Sequence, residues 1–101
     1  MPGTPIKKYR GFDDDYNGLP DKARDALNTF LREVSLDPDD RNLLEISGRN
    51  KNGDFAYPLG EGWVVYWAVK REKARFISIR TPKPILVEIY GFHFFAEFKW
   101  M

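Results

Sequence analysis

The sequence predicts an α+β fold, in which an N-terminal strand and a helical hairpin pack on one face of a four- to five-stranded, mainly antiparallel sheet. Helical periodicity is confined to the N-terminal part of the chain, and short strand-like segments separated by turns follow it. Helices grouped before strands favour this class over a parallel, doubly wound sheet. The length of 101 residues suits one domain, so we expect a single domain over residues 1–101.

Two helices and an edge strand are predicted before residue 40. Over Pro20–Leu36, apolar residues recur at helical spacing and form one stripe, which consists of Ala23, Ala26, Leu27, Phe30, Leu31 and Val34. Proline suits the first helical turn, and Asp37-Pro38 ends the helix because the residue before a proline disfavours helical conformation. We expect a shorter first helix over Phe12–Asn17 and an edge strand over Ile6–Arg10.

The remainder of the chain has the pattern of strands. Trp63–Lys70 is apolar on both alternating faces, which predicts a central strand covered on both sides. Strands are also expected over Leu43–Ser47, Phe55–Leu59, Arg75–Arg80 and Ile85–Tyr90, with Arg75–Arg80 returning antiparallel to Trp63–Lys70. The tail Gly91–Met101 is rich in aromatic rings, which are costly to expose to water. We expect it to add a further strand beside Ile85–Tyr90, within the chain or through a symmetric partner in a homodimer.

The composition excludes several classes of protein. The chain has no cysteine, which excludes disulfide scaffolds, thiol nucleophiles and thiolate zinc sites. With His93 as the one histidine, we expect no metal and no cofactor. No apolar run approaches the ~20 residues of a membrane span, and the N-terminus lacks the apolar run of a secretory signal. The expected location is therefore cytoplasmic, without membrane contact.

Charge is distributed unevenly along the chain. The formal net charge is +1. Residues 1–45 hold seven Lys/Arg against ten Asp/Glu, a net −3, whereas residues 46–101 hold nine against five, a net +4. Residues 70–83 alone contain six basic residues and one glutamate. A basic band of this kind attracts nucleic acid or another polyanion, although a solvated strand face gives the same pattern.

Two segments resemble the RelE/ParE superfamily of bacterial type II toxins. Residues 6–38, IKKYRGFDDDYNGLPDKARDALNTFLREVSLDP, are similar to its strand and helical hairpin, with Leu-Pro at the joint and Asp-Pro after the second helix. Residues 59–91, LGEGWVVYWAVKREKARFISIRTPKPILVEIYG, resemble its antiparallel meander. The resemblance implies a toxin with an antitoxin protein as partner. For the ribonuclease members it also implies metal-independent cleavage of mRNA on the ribosome, which inhibits translation.

Four residues are candidates for catalysis. Glu88 and Tyr90 are two apart on one strand and share a face, where a carboxylate and a phenol could activate a ribose 2′-hydroxyl. Arg80 on a neighbouring strand would stabilise the charged transition state. His93 is the fourth, because several family ribonucleases carry His or Tyr on or after their last strand. The alternatives are a structural Glu–Arg pair and a histidine packed among phenylalanines.

Basic residues predict an RNA-binding or other polyanion-binding surface. Arg49 and Lys51 lie in a loop rich in glycine and asparagine, and flexible basic loops commonly contact phosphates. Arg71, Lys73 and Arg75 belong to the basic band and are expected along one rim of the sheet. The alternative is a solvated loop and a solvated strand face.

A second function stays open at this point. Family members often carry an arginine after the glycine turn, and Trp63 occupies that place here. Together with the low net charge, this favours a non-enzymatic ParE-like protein or an inactive relative, which binds a protein such as gyrase or an antitoxin. A third alternative lies outside the family: an interaction module whose aromatic tail docks on a partner or on a second copy.

Overall fold

A computed structural model describes residues 3–49, 54–71 and 84–94. In chain order the described elements are β1 (Ile6–Lys8), α1 (Phe12–Asn17), α2 (Asp21–Leu36), α3 (Arg41–Ile46), β2 (Gly48–Arg49), β3 (Phe55–Gly60), β4 (Trp63–Arg71) and β5 (Pro84–Phe94). This order confirms the predicted α+β class, with an N-terminal strand and helices packed on a mixed, mostly antiparallel sheet.

The five described strands form one sheet in the order β1-β5-β4-β3-β2. The N-terminal strand β1 pairs parallel with β5, and all other pairs are antiparallel. Strand β4 lies at the centre, as its two apolar faces predict. Of the described strands, β1 and the two-residue β2 are the outermost.

The stripe on α2 packs on one face of this sheet, as predicted. Four of its residues are fully buried, and Ala26 and Leu31 pack partly buried against the same core. The ring of Phe30 lies with its centroid 4.6 Å from that of Tyr57 and 5.4 Å from that of Trp67. The indole Nε1–H of Trp67 donates a hydrogen bond to the buried hydroxyl of Ser47, at 3.3 Å. The core therefore joins α2 to the centre of the sheet.

The prediction of a strand over Leu43–Ser47 is wrong, because this segment lies in α3. The carboxylate of Asp40 accepts a hydrogen bond from the backbone N–H of Leu43 at 3.0 Å and so caps the helix. The buried side chain of Leu43 attaches the helix to the core. A strong cap and one buried anchor decide the conformation of so short a segment.

One expectation about strand neighbours is also wrong. Within the described residues, β4 lies between β3 and β5, and the expected pairing of Trp63–Lys70 with Arg75–Arg80 stays a prediction. Residues 91–94 continue β5 as one long strand, and β1 lies beside Ile85–Tyr90 where the tail was expected. Residues 95–101 and the segment Arg75–Arg80 itself lie outside the described residues.

Candidate functional site

The candidate site lies on the face of the sheet opposite the helices, which we call the far face. Val87 and Ile89 point into the core, as the predicted alternation requires, so Glu88 lies on the far face. Cross-strand partners share a face, which assigns the other positions from the register. The far face carries Lys7 from β1, Val64, Tyr66, Ala68 and Lys70 from β4, and Leu86, Glu88, Tyr90 and His93 from β5.

Glu88 and Tyr90 form a pair on the far face, as predicted. Their Cα atoms are about 7 Å apart, since they are two residues apart on a strand. The Glu88 carboxylate is close enough to the Tyr90 phenol to act on its ionisation by hydrogen-bond attraction and by charge. Burial raises the pKa of Tyr90, and the hydrogen-bond attraction and the negative charge of Glu88 raise it further. The phenol therefore keeps its proton at neutral pH while it remains 40% exposed to a ligand.

Two lysines flank the pair. Lys7 on β1 is in register with Glu88. The positive charge of Lys70 on β4 lowers the pKa of the Tyr90 phenol, and so opposes burial and Glu88, which raise it. Neither lysine is among the site residues predicted from the sequence. The sequence predicted an edge strand that contains Lys7, but the pattern of one strand does not specify the strand with which it pairs. The predicted cation Arg80 lies outside the described residues.

A cavity of about 200 Å³ opens beside the pair. Its lining consists of Lys7, Lys8, Tyr9, Glu88, Ile89 and Tyr90. Tyr9 is held in place by a hydrogen bond from its hydroxyl to the Asp15 carboxylate, and burial together with this contact raises the pKa of Tyr9 well above its ordinary value. The cavity offers room for a ligand between the edge of the sheet and the Glu88–Tyr90 pair.

His93 lies on the same face as Glu88 but further along the strand. A bulge in β5 places the extra residue Tyr90 between the pairs Ile89–Trp67 and Gly91–Tyr66. Four regular steps therefore separate Glu88 from His93, or about 13 Å between their Cα atoms. The centroid of the His93 ring is 6.3 Å from that of the Tyr66 ring. His93 was expected to lie next to Glu88, but it occupies a second position further along the far face.

Arg71 is the one predicted polyanion-binding residue whose side chain can be placed. Its guanidinium donates to the carboxylate of Asp39, in the loop between α2 and α3. This hydrogen bond raises the pKa of Arg71 further. Part of the guanidinium is thus engaged within the protein. The backbone of Arg49 belongs to the edge strand β2, while Lys51, Lys73 and Arg75 lie outside the described residues.

Trp63 fills the position at which the resembled family often has an arginine. Its ring packs on Phe94, with 5.2 Å between centroids and 40° between planes, and it is partly buried against the core. An aromatic pair with an exposed member, Phe94, thus lies at this end of the β4–β5 pair.

Residues 3–49, 54–71 and 84–94 contain no group of three or more His, Asp or Glu side chains placed to hold a metal ion. None of the helices in those ranges is long and apolar enough to cross a membrane.

The chemistry of the site is that of a carboxylate, a protonated phenol and two ammonium groups on one sheet face. A carboxylate can take a proton, a phenol can give one, and lysines can bind a phosphate. No protein-family model, curated protein or solved structure matches the chain.

Proposed function

We propose that this protein is the toxin-like component of a bacterial type II toxin–antitoxin system and acts in the cytoplasm as a metal-independent endoribonuclease. The observation that carries the proposal is the Glu88–Tyr90 pair on the far face beside one cavity, with Lys7 and Lys70 on the flanking strands. The proposed substrate is mRNA, cleaved on the ribosome. The proposed protein partner is an antitoxin.

In the proposed cleavage, Glu88 acts as the general base and Tyr90 as the general acid. The Glu88 carboxylate takes the proton of a ribose 2′-hydroxyl, and the 2′-oxygen attacks the adjacent phosphorus. The bond from phosphorus to the 5′-oxygen breaks, and Tyr90 gives its proton to that oxygen. The proton on Glu88 then passes to the Tyr90 phenolate, which restores both groups. The products are a 2′,3′-cyclic phosphate and a free 5′-hydroxyl.

The remaining residues have supporting roles in this proposal. Lys7 and Lys70 stabilise the extra negative charge on the phosphate in the transition state. His93 and Tyr66, further along the far face, hold the neighbouring nucleotide by stacking and hydrogen bonding. Arg80 stays a prediction as a further cation at the phosphate, and so do Arg49, Lys51, Lys73 and Arg75 as RNA contacts.

The test is RNA cleavage in the presence of EDTA, on free RNA and on mRNA in a translating extract. Glu88→Gln keeps the shape of the side chain and removes the base, so we expect the cleavage rate to fall about 10²- to 10⁴-fold. Tyr90→Phe, which removes the acid, should lower the cleavage rate by a factor in the same range. The matched control is Glu45→Gln, an exposed glutamate on α3. Full activity of Glu88→Gln, or product ends other than a 2′,3′-cyclic phosphate, would contradict the mechanism.

A second candidate function is partner binding without catalysis. The Trp63–Phe94 pair favours it, because it puts aromatic surface where a cleaving relative would present an arginine. In this case the chain binds gyrase or an antitoxin, or forms a homodimer through the aromatic tail. Expression in bacteria separates the two functions. Growth arrest that persists in Glu88→Gln and disappears in Phe94→Ser would establish the second candidate over the first.

A further inference from the structure

A groove on the helix side of the sheet lies away from the far face. It has a volume of about 440 Å³ and runs between the C-terminal end of α2, helix α3 and strand β3. Its lining consists of Glu33, Leu36, Asp37, Asp40, Asn42, Leu43, Ile46 and Tyr57. The proposed cleavage of RNA uses none of these residues, so the groove needs an explanation of its own.

The groove exposes apolar surface at its two sides. Leu36 on α2 is 74% exposed and Ile46 on α3 is 53% exposed. Among the described residues, the other exposed large apolar side chains are Ile85, Tyr90 and Phe94, all on β5. Leu36 and Ile46 therefore form a separate exposed pair. Two exposed aliphatic side chains that line one groove are typical of a surface that binds another protein.

The polar part of the groove is negative. Glu33, Asp37 and Asp40 line it, and no described lining residue is a lysine or an arginine. Burial raises the pKa of the Tyr57 phenol, and the charge of Glu33 raises it further, so Tyr57 presents a hydrogen-bond donor here. The α2–α3 loop next to the groove already binds one basic side chain of the protein itself, because Arg71 contacts Asp39 there. The charge suits a cationic ligand and repels the phosphates of RNA.

We propose that this groove is a docking site for a basic amphipathic segment of a protein partner. A large aliphatic side chain of the segment packs between Leu36 and Ile46, and its flanking lysines or arginines pair with Glu33 and Asp37. The exposed leucine and isoleucine supply the apolar contact, and the carboxylates supply orientation and selectivity for positive charge. The inference goes beyond the proposed function, since binding at the groove does not require the far face.

The test uses a fluorescent, end-blocked helical peptide with leucines on one face and lysines on the other. Its affinity for the full chain is measured by anisotropy, and its site is mapped by amide chemical-shift changes. Leu36→Ser should weaken binding about ten-fold or more, since burial of a leucine is worth at least a factor of ten. Glu33→Gln should weaken it about two- to five-fold, and added salt should reproduce that loss.

Matched controls separate the apolar contribution of Leu36 from the charge contribution of Glu33. Ile85→Ser changes an exposed aliphatic residue on β5, and Asp25→Asn removes an exposed charge elsewhere on α2, so both should leave the affinity within about two-fold of wild type. Because Leu36 is exposed, Leu36→Ser should fold normally, which its amide spectrum reports. Equal affinity for a peptide with glutamates in place of the lysines would overturn the proposal. Chemical-shift changes that map to β5 on addition of the peptide would also overturn it. Self-association of the protein that is lost in Leu36→Ser would overturn it in favour of a second copy as the occupant.

Discussion

Replacing Leu27 by alanine tests how α2 is held on the sheet. Leu27 is 0% exposed and belongs to the core cluster that contains Trp67 and Val65. The change removes three carbon atoms, which lowers the free energy of unfolding by about 2.4 kcal/mol from lost burial alone. The cavity left behind adds about 1–2 kcal/mol if the core does not collapse around it. We therefore expect a loss of about 3–4 kcal/mol, a large fraction of the ~5–15 kcal/mol typical of a domain.

The same substitution at Leu36 is the matched control, because it lies on the same helix with its side chain in water. Leu36→Ala should change the free energy of unfolding by less than about 0.5 kcal/mol. Urea unfolding followed by circular dichroism and by tryptophan fluorescence measures both variants, and the slope with urea should stay constant. A loss below about 1 kcal/mol for Leu27→Ala, or equal losses for the two variants, would refute this account of the core.

Three further predictions concern polar contacts. Ser47→Ala leaves the buried indole N–H of Trp67 without its acceptor and should cost about 1–3 kcal/mol in urea unfolding; no measurable loss would contradict this. A double-mutant cycle between Arg71 and Asp39 should give a coupling of only ~0.2–1 kcal/mol, because both side chains keep access to water, and a coupling several times larger would be inconsistent with that exposure. Folding raises the pKa of Tyr9, so above about pH 10 the unfolded state loses protons first and stability falls with rising pH. Tyr9→Phe should reduce this loss by roughly 0.5–1 kcal/mol per pH unit, allowing for its partial exposure, and identical pH profiles for the two proteins would exclude the effect.

Periodicity predicted the parts of the fold that depend on local amphipathic patterns. The stripe around Leu27 and Phe30 predicted α2 and the face that it buries, and the run Trp63–Lys70 predicted the central strand. Both signals extend over many residues, so no single contact outside the segment can reverse them. The six residues of α3 carry no such signal, because a leucine pair fits a short helix and a short strand equally well. The cap from Asp40 decides between the two.

The pairing of strands that are distant in sequence could not be predicted from periodicity. Alternation places Glu88 and Tyr90 on one face, but it does not specify that β1 pairs with β5 and brings Lys7 into register with Glu88. That pairing joins the two ends of the described chain, and it depends on the whole topology. Alternation could therefore place the carboxylate and the phenol of the candidate site on one face, but it could not predict the lysines beside them.

The position of His93 depends on a feature that alternation cannot predict. In a regular strand, Glu88 and His93 would point to opposite faces, because they are five positions apart and side chains alternate at every position. The extra residue at Tyr90 shifts the alternation by one, so His93 opposes Val64 and lies on the far face with Glu88. The same shift turns Phe92 to the core, where the centroid of its ring lies 5.5 Å from that of Phe12.

Deletion of Tyr90 tests this account of the bulge. The deletion makes β5 regular while Ile89 keeps Trp67 opposite and His93 keeps Val64 opposite, so the register of the strand should persist. We expect NMR contacts between the rings of Tyr66 and His93 to remain, and the free energy of unfolding to fall by about 1–3 kcal/mol. RNA cleavage should be lost with the phenol. Loss of the Tyr66–His93 contact, with new contacts between His93 and Trp63, would show that β5 had shifted and that the bulge does not set the face of His93.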